Sequence, residues 1–441
     1  MSISEIQRKF RRSIRQSICG TIRIRLFETL LQKLFQNRFI RNMGWLSAAE
    51  LVGRISRLIT VILLARFLDP HAYGLAAIVI TVNEFALVFS MRSGIGSKLI
   101  QAGEAELESL LETAYWMNWI VGISLCLLQC LAAFPVAYFY KDSAIILPIC
   151  LSASVYLMLP LYGVQLSLIY RENRLNVVAL CNALHAIVSN GLSIILAILG
   201  FGMWAIVLPL ILVYPVWVII GRRNHAWRSS HKFTLKGWQT IAGFSLNILG
   251  VELLTKLRGN LDYLLVGLFL GVDTLGIYYF AFSAGLGTSI SVINAFTWSL
   301  FPHLCEARED RQEMQKRYLN GLKTSAFLFV PLIALQSGLA PFYVPIVYGE
   351  KWISAIPILI LICLSALPRP FAESASVLLQ ATDRTRENLH WNLLFTIAFL
   401  IALFPAAKTS ILGVAVTVLV THLVALPLFT AWASRRTFSP H

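Results

Sequence analysis

Glu50, Arg54 and Arg57 fall at i, i+4 and i+7, so they share one face of a helix. Glu252, Lys256 and Tyr263 share a face of a second helix later in the chain. All stand inside apolar stretches, where a charge costs at least about 2.5–3.5 kcal/mol and marks function by default. Surplus cations in such a setting suit an anion. One cation about 5 Å from a unit negative charge gains about 3 kcal/mol at an effective dielectric of about 20. Several bare cations would therefore hold an anion too tightly to release. Glu50 and Glu252 beside them temper the site, which fits a diphosphate-sized anion gripped by Arg54, Arg57 and Lys256. The plain alternative is that each glutamate pairs with the cation one turn on, making the helix insertable. Against it, Arg57 has no acid partner within a turn of it and Glu84 has no cation within a turn of its own helix. Arg258 with Asp262, and Arg369 with Glu373, are read with Glu84 as ion-coupling groups or as helix-pairing charges. Arg66 and His71 read as interface anchors, and His185 and His422 as packing residues.

The elements that position these groups follow from composition. Of 441 residues, 57% are hydrophobic and 13% charged, with a mean hydropathy of +0.70. Soluble chains carry about 25% charged residues, so the chain is an all-α integral membrane protein rather than a soluble enzyme, nucleic-acid binder or disordered scaffold. The cysteines form no CxxC pair and read as small hydrophobes. No Walker lysine, GxSxG or HExxH motif occurs, so neither an enzyme nor a resident cofactor or metal is expected, and no nucleic acid partner.

A membrane helix needs about 20 apolar residues. Such stretches fall at about 43–67, 74–98, 113–139, 145–170, 175–198, 202–221, 240–270, 275–303, 323–346, 353–380, 389–406 and 410–433, which predicts twelve crossings. Most of the 37 Lys and Arg collect in the first 42 residues and in alternate loops, against Lys141, Lys351 and Lys408 in the others. That bias puts both termini in the cytoplasm. The expected organisation is a basic amphipathic arm (1–42), a six-helix bundle (43–221), a basic cytoplasmic linker (222–238), a second six-helix bundle (239–435) and a short cytoplasmic tail (436–441). Residues 304–322 predict an amphipathic surface helix.

The two halves align at a shift of 202 residues. Glu50 then falls on Glu252, Arg54 on Lys256, Phe67 on Phe269 and Gly74 on Gly276. Six helices per half place both copies in one orientation, so the repeat is a parallel pseudo-two-fold about the membrane normal, with a central cleft.

The opening RNMGWLSAAELVGRISRLITVILLARFLDPHAYGLAAIV and the later LRGNLDYLLVGLFLGVDTLGIYYFA resemble the polysaccharide-transport flippases of the multidrug/oligosaccharidyl-lipid/polysaccharide (MOP) exporter superfamily. The resemblance covers about residues 40–435. It implies translocation of undecaprenyl-diphosphate-linked oligosaccharide units from the inner to the outer leaflet of a bacterial inner membrane, for lipopolysaccharide, capsule or exopolysaccharide. It also implies a V-shaped cleft, alternating access and proton or sodium coupling. The cargo-binding set falls on Arg54, Arg57, Lys256, Glu50, Glu252 and Tyr263, and the chain is expected to act as a monomer beside a polymerase and chain-length machinery. The rivals are a MATE-like multidrug or cation antiporter, which would want a carboxylate-dominated cleft, and a membrane glycan polymerase or glycosyltransferase, which would want a large outer loop.

Overall fold

Proline, glycine and capping side chains decide where these apolar helices stop. The computed structural model describes residues 38–90, 92–230 and 232–438, and every regular element among them is helical. Most of the basic arm at 1–42 lies outside the described residues.

In chain order the helices are α1 (Arg38–Phe67), α2 (Pro70–Phe89), α3 (Arg92–Gln101), α4 (Glu104–Tyr140), α5 (Ile146–Ser152), α6 (Val155–Arg171), α7 (Leu175–Ile198), α8 (Trp204–Leu212), α9 (Tyr214–Asn224), α10 (Trp238–Leu270), α11 (Val272–Cys305), α12 (Arg311–Gly338), α13 (Ala340–Tyr343), α14 (Ile356–Ser365), α15 (Arg369–Ala381), α16 (Thr385–Ala407) and α17 (Ile411–Phe438). Nine segments of described residues are long and apolar enough to cross a membrane, so the chain is a multi-pass all-α membrane protein. Three further long helices, α1, α10 and α11, fall outside those nine; α1 and α10 carry the clustered charges that lower their hydropathy.

Several expected spans are broken. The second bends after Phe89, where the Ser90 hydroxyl donates to the Leu87 carbonyl at 2.6 Å. The fourth is interrupted at 153–154, the sixth at 213 and the tenth at 366–368. The surface helix expected at 304–322 is not separate, because residues 311–338 form one continuous helix capped by Asp310, whose carboxylate accepts from the Gln312 and Glu313 N–H groups. Its polar turns are the solvated end of a long helix. The linker is no free tether either. Glu112 of α4 accepts from the Ser229 hydroxyl and the Ser230 N–H, and the Trp116 indole donates to the Lys232 carbonyl at 2.9 Å.

Helices α1 and α7 pack along each other, as do α4 and α6, α15 and α17, and α16 and α17. Contacts between the earlier and later helices run chiefly through α2 against α11 and α10, and α3 against α10. At one end of the α2–α11 seam the backbones almost touch. A Cβ on Gly74 would overlap the Val272 carbonyl, and one on Gly276 would overlap the Pro70 carbonyl. Beside this seam Trp352 is buried, stacked on Phe280 at 3.9 Å, edge-on to Tyr73 at 5.2 Å, and donating to the Ala65 carbonyl at 2.7 Å. Aromatic area and a satisfied indole make it the anchor of the largest core cluster.

Because the approach at Gly276 leaves no room, Gly276→Leu is expected to lower the melting temperature of detergent-purified protein by several degrees, from about 1–3 kcal/mol of overpacking. Gly338→Ala, where a Cβ meets nothing within 4 Å, should leave it unchanged or slightly higher. Scanning fluorimetry on both variants checks this.

Candidate functional site

Three helices supply the mid-span charges nearest one another, α1, α2 and α10, and α11 adds the Tyr279 hydroxyl. On α1 the Glu50 carboxylate meets the Arg54 Nε at 3.2 Å, the two side chains 61% and 26% exposed. That is the local i,i+4 pair available to any helix. Arg57, one turn on, is exposed and makes no hydrogen bond or ion pair with the described residues. It lies with Glu84 of α2 in electrostatic reach of the Tyr279 hydroxyl of α11.

The α10 cation behaves differently. Lys256 Nζ meets the Glu84 carboxylate at 3.0 Å, with the side chains 42% and 38% exposed. Asn260, one turn along α10, donates to the Lys256 carbonyl at 3.0 Å and points its amide at the same Glu84 oxygen at 3.5 Å. The local Glu252–Lys256 pairing therefore does not form. Glu252 is half-buried and without an ion pair among the described residues. The acid that lacked a cation on its own helix takes one from a helix 172 residues away. The α1 and α10 faces do not confront each other directly; α2 stands between their charges. Among the described residues, Glu84 joins two neighbourhoods: it pairs with Lys256, and with Arg57 it acts on Tyr279, while Glu50 and Arg54 pair one to two turns earlier on α1.

Tyr263 is not part of this surface. It is 6% exposed and packs edge-on against Tyr278, Tyr279 and Phe282. Its ring fills the core between α10 and α11, away from the exposed charges it was expected to join.

A second polar group lies inside α10, α11, α15, α16 and α17. Arg258 does not pair with Asp262 one turn on. It donates to the Asn392 side-chain oxygen, and Glu373 acts on it electrostatically. Asp262 is 6% exposed and accepts from the Tyr278 hydroxyl at 2.7 Å and the Tyr263 N–H at 3.0 Å, with Arg369 as its nearby cation. Glu373, by contrast, is exposed. Arg369 Nη2 donates to His422 Nε2 at 3.3 Å, because His422 Nδ1 donates to the Val418 carbonyl at 2.8 Å. Phe395 and Phe399 box the same ring edge-on. Both acids thus have arginines near them, and for Asp262, which is buried, a nearby opposite charge is what burial demands.

Sequence reasoning missed the partners. Asn260 stands at i+4 from Lys256 and could have been found by that spacing, whereas Tyr278, Asn392 and His422 come from other helices. It also missed Arg92, whose guanidinium lies 5.5 Å from the Tyr162 ring centre and 5.9 Å from that of Trp217, a cation–π cage. Trp217 in turn donates to His185 at 2.8 Å. Arg66 and His71, expected as lipid-interface anchors, tie protein to protein. Arg66 donates to the Val347 and Ile346 carbonyls at 2.8 and 2.7 Å, and His71 sits between Asp142 and Asp273.

A double-mutant cycle on Glu84→Gln and Lys256→Gln is expected to show a coupling of about 0.5–1 kcal/mol in thermal unfolding. Strictly additive losses would mean that the two side chains do not pair in the membrane-embedded protein.

The chain is similar to the teichuronic acid biosynthesis protein TuaB of Bacillus subtilis (strain 168), at 24% identity over 328 residues covering 73% of this chain and 67% of that protein. It is also similar to the lipopolysaccharide biosynthesis protein WzxC of Escherichia coli (strain K12), at 23% identity over 381 residues, 83% of this chain and 75% of that one. Among solved structures it resembles the lipid II flippase MurJ in an inward closed conformation, with a TM-score of 0.72, 14% identity and coverage of 89% and 88%. It resembles an inward-facing multidrug resistance MATE transporter of the MOP superfamily at 0.69, with 13% identity and coverage of 87% and 94%. The family model described as polysaccharide biosynthesis protein matches residues 63–357, most of the chain, and this protein belongs to that family.

Proposed function

We propose that this protein is a flippase that moves lipid-linked oligosaccharide units, joined through a diphosphate, across a bacterial inner membrane by alternating access. It is a transporter of surface-polysaccharide assembly and not an enzyme. Relatives named for polysaccharide and lipopolysaccharide biosynthesis support the cargo class, and the resemblance to a lipid II flippase supports the fold that would carry it. The observation that carries the mechanism is Glu84, which pairs with the half-exposed Lys256 and acts with Arg57 on Tyr279, where α2 meets α10 and α11.

Nine apolar spans together with α1, α10 and α11, each at least 30 residues long, support twelve crossings. The reading divides them into bundles at 43–221 and 239–435 around a V-shaped cleft. The 202-residue repeat is supported by reciprocal contacts: Gly74 meets Val272 and Gly276 meets Pro70, positions that exchange under that shift. Loop charge supports cytoplasmic termini; the 68–71 and 271–273 turns then lie on the outer side. A monomer working beside a polymerase and chain-length machinery completes the picture.

Chemically, Glu84 occupies Lys256 while the site is empty. A diphosphate brings oxygens that bind ammonium and guanidinium groups, so it takes Lys256 from Glu84 and recruits Arg57 and Arg54. The return of Glu84 to Lys256 favours release, which keeps affinity within the range that transport tolerates. A membrane potential negative inside assists the outward passage by about 2.3 kcal/mol per charge per 100 mV. The arginines beside Asp262 and Glu373 favour helix pairing over ion coupling for that group, leaving proton or sodium coupling to be assigned by transport assays. A cation antiporter would need a carboxylate surplus, whereas the α1 face carries two cations against one acid.

Neutralising Arg54 and Lys256 together (Arg54→Gln with Lys256→Gln) should reduce surface polymer about tenfold or more at unchanged protein abundance, since one lost contact of about 1.4 kcal/mol is already tenfold. Undecaprenyl-diphosphate oligosaccharide should accumulate on the cytoplasmic leaflet, measured by lipid extraction with leaflet-selective labelling. Normal export by the double variant would overturn the anion-site mechanism; accumulation on the outer leaflet would indicate a polymerisation defect.

A further inference from the structure

At the outer end of the α2–α11 seam one imidazole touches two carboxylates. His71, in the first turn of α2, has Nδ1 at 2.8 Å from Asp273 Oδ1 and Nε2 at 3.2 Å from Asp142 Oδ2. Asp273 opens α11, and Asp142 follows α4. A neutral imidazole has one N–H and one lone pair, so it can donate to only one of two ionised carboxylates and would turn its lone pair against the other. Both contacts are attractive only when the ring is protonated. We infer that His71 is a proton-binding latch of the outer gate, in which an external proton joins Asp273 to Asp142 through the imidazolium and holds the outer ends of the two halves together.

Other charges at this end are already engaged. Asp69 caps α2 by accepting from the Ala72 N–H, Arg66 of α1 holds the Ile346 and Val347 carbonyls, and Lys351 holds the Arg66 and Leu68 carbonyls. The remaining Lys and Glu side chains in the outer turns are Lys141, Glu350 and Lys408, whose Nζ lies over the Phe269 and Phe404 rings. Because α2 and α11 belong to different halves, opening the outer end must break His71–Asp273, while His71–Asp142 lies within the first half and can persist. The closed form therefore binds the proton more tightly than the open form, and by linkage the proton favours closure. The sign follows: a proton on the ring favours closure, and its loss loosens the contact. The His71 side chain is 49% exposed and Asp273 74%, so the effect is a bias and not a lock. A proton held at the outer rim cannot be handed to the cytoplasm, so this site regulates the cycle without driving it. The inference rests on the alternating-access reading and not on the identity of the cargo.

The test uses the full chain in lipid nanodiscs, with its cysteines replaced and spin labels at positions 201 and 408, in outer turns of the two halves. Pulsed dipolar distances are read without substrate at about pH 5.5 and about pH 8. The short-distance population should gain about twofold to fivefold over the long one at the lower pH. His71→Gln and, separately, Asp273→Asn should each flatten that response. A wild-type distribution unchanged by pH overturns the inference, as does a full pH response in a monodisperse His71→Gln or Asp273→Asn protein. Either variant suffices should the other fail to fold. Because no substrate is present, failure here leaves the flippase reading standing, and failure of export assays leaves the latch standing.

Discussion

Everything in this molecule answers to the cost of placing a charge where water is scarce. Soluble proteins leave Glu, Lys and Arg on the surface; here they recur in the middle of α1, α2, α10 and α15. Each must find an opposite charge, a set of donors or an aqueous cavity. The structure uses all three solutions. Glu50 and Arg54 settle locally, Lys256 and Glu84 settle across two helices, and Asp262 is buried under a tyrosine hydroxyl with an arginine near it. The degree of exposure separates their roles. The Asp262 neighbourhood is closed, whereas the Lys256 neighbourhood is about two-fifths open to solvent, which the proposed exchange of partners requires.

In the proposed mechanism that exchange gives the transporter its reversibility. A site of cations alone would bind a diphosphate at a depth from which it could not leave. An internal carboxylate of moderate reach makes binding a substitution of one anion for another, so the net gain is a difference between two similar terms. The same principle operates at the outer rim with a weaker bond. His71 and Asp273 meet where Gly74 and Gly276 let two backbones touch, so a small electrostatic bias acts on a seam that packing has already shaped. Tight glycine contacts set what the closed state looks like, and exposed charges set how often it is occupied.

Membership of the polysaccharide biosynthesis protein family accords with this layout. A lipid-linked cargo has an apolar tail that can stay in the bilayer and an anionic, sugar-bearing head that cannot. A pathway for such a head needs cations at mid-depth and walls of helix able to part, and the charges on α1, α2 and α10 lie where such walls meet.

Membrane residence, helical class and the suspicious charges were legible in the residues, because hydrocarbon demands long apolar helices and makes each exception conspicuous. The proposed 202-residue repeat draws on the same cost, since Glu50 with Glu252 and Arg54 with Lys256 are costly coincidences. Pairing was not legible. The i,i+4 rule favoured Glu252 for Lys256 and Asp262 for Arg258, and in both cases a residue from another helix won. Tyr263 had the spacing of a cleft residue but is in the core. A helical wheel states which side chains share a face and nothing about what that face meets. Only the packing of α2 against α10 and α11 decided that Glu84 holds Lys256 and that His71 spans two carboxylates, since burial and distance, not sequence spacing, choose between competing partners of equal charge.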